Sequence, residues 1–210
     1  MPGSRLIRVS RRARTRTTTP PAGRMVAHGF GRRFLAFMLA SATAAILVIP
    51  PPGAVAAEFS AKDGQILGRT LGFVGDGMSG PAIVGVVFSP TNPASRREAE
   101  LIQAVIGDDM PTGRVRLRSR LVPIGQVAEV IGIQALYVTG GLSANIDLVA
   151  AAAQRLHVPT ISADISCVQV GACVVGFSSE PTVQIIIDRG AAERSGVRFL
   201  QAFRMLVREK

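Results

Sequence analysis

Tryptophan is absent from this sequence, and tyrosine occurs once, at Tyr137. Histidine is nearly as scarce: of two in 210 residues, only His157 lies beyond residue 57. Cysteine is limited to Cys167 and Cys173. These absences exclude several classes of chemistry. A zinc site needs clustered Cys, His or carboxylate ligands, and a C-x5-C pair with no histidine nearby does not supply one. The same spacing is wrong for a C-x-x-C redox pair. No G-x-S-x-G elbow, H-E-x-x-H helix or P-loop occurs. With no catalytic set, no metal set and no cofactor motif, the expectation is a protein without enzymatic activity.

Acidic residues are missing from an entire region. Residues 1–57 carry nine arginines and no Asp or Glu, so residues 58–210 hold 15 of the 24 basic residues and all 14 acidic ones. The formal charge of +10 therefore belongs to the leader, and the remainder is nearly neutral at +1. Total basicity would suggest a nucleic-acid partner; this distribution argues for none. The leader reads instead as an export signal. Its arginine-rich start runs into an apolar block, Phe34 to Ile49, broken by Pro50, Pro51, Pro52 and Gly53. Small residues follow at Ala54, Val55, Ala56 and Ala57, which places cleavage after Ala57, with Ala56 as the alternative. The block of 16 residues is short for a membrane span of about 20, so membrane contact is expected only through the signal segment. A start at Met25 would give a signal of ordinary length, leaving residues 1–24 as an over-extended start or a disordered tail. Arg32-Arg33-Phe34-Leu35 is close to a twin-arginine signal but lacks a residue between the pair and Phe34.

Residues 58–210 suit one domain with a real core. Export to an oxidising periplasm makes a Cys167–Cys173 disulfide the expectation, stapling a sheet edge, with a free thiol pair as the alternative. Ile66, Leu67, Leu71 and Val74 are at helical spacing over 62–74. Gly75, Gly77 and Gly80 match the letters of a dinucleotide fingerprint, but a helix precedes them and a strand follows, the reverse of what that motif needs, so 75–81 reads as a turn. The run 82–88 is an unbroken apolar strand. Ser95 and Glu98 read as the capping box of a helix ending at Gly107. Arg114, Arg116, Arg118 and Arg120 alternate with apolar positions, which predicts an edge strand with one wet face; the alternative is an anion-binding row. A short helix over 124–131, a strand over 134–138 and a helix from Ser143 to about Leu156 come next, then a strand over 160–163. Alternation of this kind implies an α/β fold, a three-layer sandwich on a mostly parallel sheet. The apolar runs 172–177 and 183–188, split by SSEPT, predict a C-terminal antiparallel hairpin. A helix over 189–195 and a final amphipathic helix over 199–207 complete the chain.

Open α/β sheets bind ligands at the carboxyl ends of their strands. The candidate crevice here is Ser89, Thr91 and Asn92 from one loop and Thr139, Gly140, Gly141 and Ser143 from another, with the helix start at Ser143 as a place for a carboxylate or phosphate. Turn and cap chemistry alone also selects such residues. His157 at a helix end reads as a cap, Asp108-Asp109 as a solvated turn, and Asp164 as an acid at a strand end without a nameable partner.

Four features of the C-terminal stretch carry a family resemblance: the TISAD strand end, the apolar segment Gly171 to Gly176, the IIIDR strand end at 185–189, and AAERSGVRF at 191–199. Together they resemble the YfiR family of exported regulators. Asp188, Ala191, Ala192, Gly196, Val197 and Arg198 occupy the places of that family's motif before its last helix. The resemblance implies a periplasmic, non-enzymatic α/β protein, stabilised by a disulfide and able to form a homodimer. Its implied partner is the periplasmic part of a membrane-bound diguanylate cyclase, which it would hold inactive, lowering cyclic-di-GMP and biofilm output. The end of the first helix departs from the family, since Phe73-Val74-Gly75-Asp76 keeps only the beginning of its Phe-Val-Glu-Trp-Pro-like sequence and the chain has no tryptophan. The alternative function is a periplasmic small-molecule (solute) binding module using the crevice.

Overall fold

The computed structural model describes residues 58–210. The signal segment, its cleavage points and the choice between Met1 and Met25 lie outside the described residues. No helix among those described is long and apolar enough to cross a membrane.

The first helix, α1 (Ala61–Leu71), opens on a reciprocal cap: Ser60 Oγ accepts from the Asp63 amide, and the Asp63 carboxylate accepts from the Ser60 amide. Beyond its end, Gly75, Gly77 and Gly80 all take positive φ, and β1 (Gly80–Phe88) begins at the last of them. Next come α2 (Pro93–Ile106), β2 (Met110–Thr112), β3 (Val115–Pro123), a 3-10 turn at 124–129, β4 (Ala135–Val138) and α3 (Ile146–Leu156). The chain closes with β5 (Thr160–Ser162), α4 (Ile165–Gln169), β6 (Val175–Ser178), β7 (Gln184–Ile187), α5 (Arg189–Arg194), α6 (Gln201–Arg204) and β8 (Arg208–Glu209).

Eight strands form one sheet in the order β2-β3-β1-β4-β5-β6-β7-β8. All pairings are parallel except β2–β3 and the β6–β7 hairpin. The fold is α/β, with helices on both faces. Period-two side chains divide the core accordingly. Val84, Val86 and Tyr137 face α1, α2, α5 and α6, while Val87, Leu136 and Val138 face α3, α4 and the 3-10 turn. The glycine in the middle of β1, Gly85, lies beneath Ile133 and Leu136, each 3.2 Å from where a Cβ would stand.

Several expectations from the sequence need correction. The arginine-bearing strand is not an edge: β3 is hydrogen-bonded to β1 on one side and to β2 on the other. The three-residue β2, carrying Pro111, takes the edge and was too short to show in the pattern. The arginine face is nonetheless exposed, and Arg116 pairs with Asp109 just before β2. That bond holds the Asp109 carboxyl below its ordinary range, so the Asp108-Asp109 turn includes a structural tie. The expected capping box Ser95–Glu98 is not one, because α2 starts three residues earlier and Asn92 caps it. Ser143 does not cap a helix; it opens the 3-10 turn Ser143–Asn145, which leads directly into α3 at Ile146 with no side-chain cap. The last helix is a single turn, and residues 208–209 return to the sheet as β8.

Cys167 and Cys173 form a disulfide, their Cα atoms 5.3 Å apart. It ties α4, which the sequence did not suggest, to the segment entering β6. Since β6 lies between β5 and β7, the staple is inside the sheet and not at its edge. His157 ends α3 through its backbone, at φ 54°. Its ring stands 2.8 Å from the Cβ position of Gly196, itself at φ 65°, so only glycine fits there. Asp188 caps α5 by accepting from the Ala191 amide at 2.7 Å. Motif residues behind the family resemblance therefore have local structural work to do.

Candidate ligand cleft

The sheet order fixes where a cleft must open. From β1 the chain crosses through α2 to β3 on one side; from β4 it crosses through α3 to β5 on the other. The loops leaving β1 and β4 diverge, and a crevice forms at the carboxyl ends of these strands. A cleft of about 680 Å³ lies there, within the roughly 300–1,000 Å³ usual for small-molecule sites. Its walls come from the start of α1, the first turns of α2, the ends of β4 and β5, and the β6–β7 loop.

Of the seven residues expected to form the crevice, three line it: Asn92, Gly140 and Gly141. Asn92 Oδ1 accepts from the Ala94 and Ser95 amides at 3.0 and 3.3 Å. Its Nδ2 lies 2.3 Å from where a Cβ on Gly141 would stand, and Gly141 has φ 76°. The two predicted loops thus touch through a cap side chain and a glycine. Thr139 is buried beneath the cleft. Its hydroxyl donates to the Val87 carbonyl at 2.9 Å and so accepts from Ser95 Oγ at 2.7 Å. Ser95 Oγ in turn accepts from the Ser89 amide at 3.0 Å. Ser89 and Thr91 bond each other outside the lining, and Ser143 is exposed beyond it.

Several lining residues escaped the sequence reading. Glu98 Oε2 accepts from the Gly140 amide at 2.8 Å, and Oε1 lies 3.4 Å from the Tyr137 hydroxyl that donates to it. The Ala163 amide donates to the same hydroxyl at 3.3 Å. Burial pushes the Glu98 carboxyl above its ordinary range; the two hydrogen bonds pull it down but do not win, and the negative charge of Asp164 adds to the rise. Burial likewise pushes the Tyr137 phenol well up, with Glu98 contributing. Asp164 does enter the site: it lines the cleft and caps α4 through the Ser166 amide. Phe59 adds an aromatic wall, its ring meeting that of Tyr137 edge to face at 5.5 Å. At the rim Lys62 donates to the Ser179 carbonyl at 2.7 Å and to Glu180 at 3.1 Å, joining α1 to the β6–β7 loop.

The sequence held one usable signal for Glu98. On α2 the buried stripe is Ser95, Ala99, Ile102 and Ile106, and Glu98 borders that stripe. A carboxylate beside an inward-facing stripe needs partners there. The capping-box letters offered a ready explanation and concealed it.

No family model and no curated protein matches this chain. Among solved structures, a conserved domain protein from Vibrio cholerae O1 biovar El Tor superposes with a TM-score of 0.50 at 15% identity, covering 72% of this chain and 60% of that one. At that identity the likeness is one of fold. A substrate-binding protein with adhesive properties from Clostridium difficile, in its ligand-free, open form, gives 0.46 at 10% identity over 72% of this chain and 60% of that one. An ABC domain from Streptococcus pneumonia in complex with L-Trp gives 0.44 at 13% identity over 61% and 54%. This chain spans about 60% or less of the length of each.

Proposed function

We propose that this chain is an exported solute-binding module that takes a small organic molecule into the cleft at the ends of β1 and β4. The observation that carries the proposal is the cleft itself: about 680 Å³, at the divergence of the two loops, with an aromatic wall beside convergent polar side chains. The arginine-rich leader and the Cys167–Cys173 disulfide support a periplasmic location. The module works by binding and needs no cofactor.

The chain provides its own reporter. Tyr137 is the sole tyrosine, there is no tryptophan, and Tyr137 lines the cleft. Its emission reports occupancy directly. A diverse panel of small polar and amphipathic metabolites should contain members that raise the melting temperature and change tyrosine emission together. Absence of any such compound at millimolar concentration refutes the proposal.

A second reading is favoured by Met205 and Leu206, neighbours that are 79% and 78% exposed. An adjacent apolar pair suits a protein partner. With the likeness of residues 158–207 to the YfiR family, it supports regulation of a membrane-bound diguanylate cyclase by differential binding to its inactive state. Gene deletion with measurement of cyclic-di-GMP tests it: a rise supports regulation, and an unchanged level removes it.

A further inference from the structure

The chain beyond the leader is electrically balanced, with 14 acidic and 15 basic residues in 58–210. The cleft is not. Five carboxylates line it (Glu58, Asp63, Glu98, Asp164 and Glu180) against one cation, Arg97. Of the five, Glu180 is paired with Lys62, while Asp63 and Asp164 cap α1 and α4. Among the described residues Glu58, Asp63, Glu98 and Asp164 form no ion pair. Glu98 is the telling case. It is half-buried between Gly140 and Tyr137, where its partners are neutral donors. A carboxylate withdrawn from water without a cation carries a desolvation cost that a positively charged guest would offset.

The arrangement does not suit a metal ion. No group of three or more carboxylates, histidines or cysteines among the described residues is close enough to hold one. What the cleft does offer is spaced negative charge around an apolar wall of Phe59, Leu101 and the Tyr137 ring. That combination matches a molecule with a charged end and an apolar body. We infer that the solute is an organic cation, an alkyl- or arylammonium compound whose charged nitrogen is received by Glu98 and Asp164 and whose body lies along Phe59. The inference rests on the solute-binding reading and names its ligand class.

Three compounds of one shape and different charge test it: 4-phenylbutylamine, 4-phenylbutanol and 4-phenylbutyrate. Calorimetric titration of the full mature chain should show the amine binding at least ten-fold more tightly than the alcohol, with the carboxylate weakest. Glu98→Gln, which keeps an acceptor for the Gly140 amide, should reduce amine affinity about ten-fold and so remove most of the amine's advantage over the alcohol. Asp164→Asn, which likewise keeps an acceptor for α4, serves as the second variant and should act in the same direction. Equal binding of the three, preference for the carboxylate, or no loss in both variants overturns the cation assignment. Failure of all three to bind also overturns it, and the diverse panel above then decides separately whether the cleft binds anything.

Discussion

Asn92 and Gly141 come from the two loops that frame the cleft, and their contact yields a quantitative prediction. Replacing Gly141 by Ala has two consequences. A side chain at φ 76° is strained, at about 1–2 kcal/mol for an L-residue in that region. The new Cβ also stands 2.3 Å from Asn92 Nδ2, which forces Asn92 off the start of α2. Loss of an asparagine N-cap costs about 1 kcal/mol. Gly141→Ala should therefore destabilise by about 2–3 kcal/mol, a fall in melting temperature of roughly 6–9 °C for a domain of this size. Asn92→Ala alone should cost about 1 kcal/mol, the cap alone. In the double variant the cap is already gone, so the Ala at 141 meets no obstacle and adds only the strain. The pair should total about 2–3 kcal/mol and not the sum, a coupling of about 1 kcal/mol, well above the ~0.3–0.5 kcal/mol scatter of independent sites. Urea unfolding of the four proteins measures this. Simple additivity would refute the claim that Asn92 covers Gly141, and with it the geometry of the cleft mouth.

Two further predictions follow from named groups. Burial raises the Glu98 carboxyl in the folded state, so the folded chain holds that proton more tightly than the unfolded chain. Its stabilising contribution is complete below the ordinary glutamate range and is lost as pH rises through the raised value. Urea midpoints measured from pH 4 to 8 should show Glu98→Gln lacking that decline and gaining on the wild type toward neutral pH; parallel curves would contradict the assignment. The paired change Cys167→Ala and Cys173→Ala removes a cross-link over a sequence separation of 6. The loss should be about 2 kcal/mol by loop-closure entropy, and reductant should lower the wild-type midpoint while leaving the variant's alone. Identical midpoints for oxidised and reduced wild type would show that the link adds nothing.

The fold was largely legible because its parallel strands are covered on both faces. Ala82 to Phe88 reads as one apolar run for that reason, and the helices beside it are long enough to show periodicity. Legibility failed where elements are short. β2 has three residues and includes Pro111, while α4 spans five residues around Cys167. Neither completes a detectable period. Phe199, Leu200, Phe203, Leu206 and Val207 suggested a final helix by spacing, yet the helix is only Gln201–Arg204, and Phe203 is buried while Phe199 is half-buried beside it, ring centroids 5.6 Å apart. Phe199 bridges to Val74 at the end of α1, and Phe203 stacks on Phe73 at 4.7 Å. Nothing in the sequence separates a stripe along one helix from an aromatic cluster packed just beyond the end of another.

At the cleft, legibility depended on the kind of reason a residue has for being there. Asn92, Gly140 and Gly141 were visible because loop chemistry selects them: a helix cap and residues of a tight turn. Those are reasons of backbone geometry, and they place a cleft without describing its guest. The residues that would recognise a guest, Glu98, Asp164, Phe59 and Tyr137, lie 105 positions apart in sequence at their extremes and meet only because β4 and β5 stop beside the start of α2. Each had an adequate local explanation in the sequence. Glu98 resembled half of a capping box, and Asp164 resembled a strand-ending acid. Only their convergence shows that four carboxylates without a paired cation face one space. The polarity of that space, more than its outline, distinguishes this cleft from a generic crevice at the end of a parallel sheet, and the matched amine, alcohol and carboxylate probe that property directly.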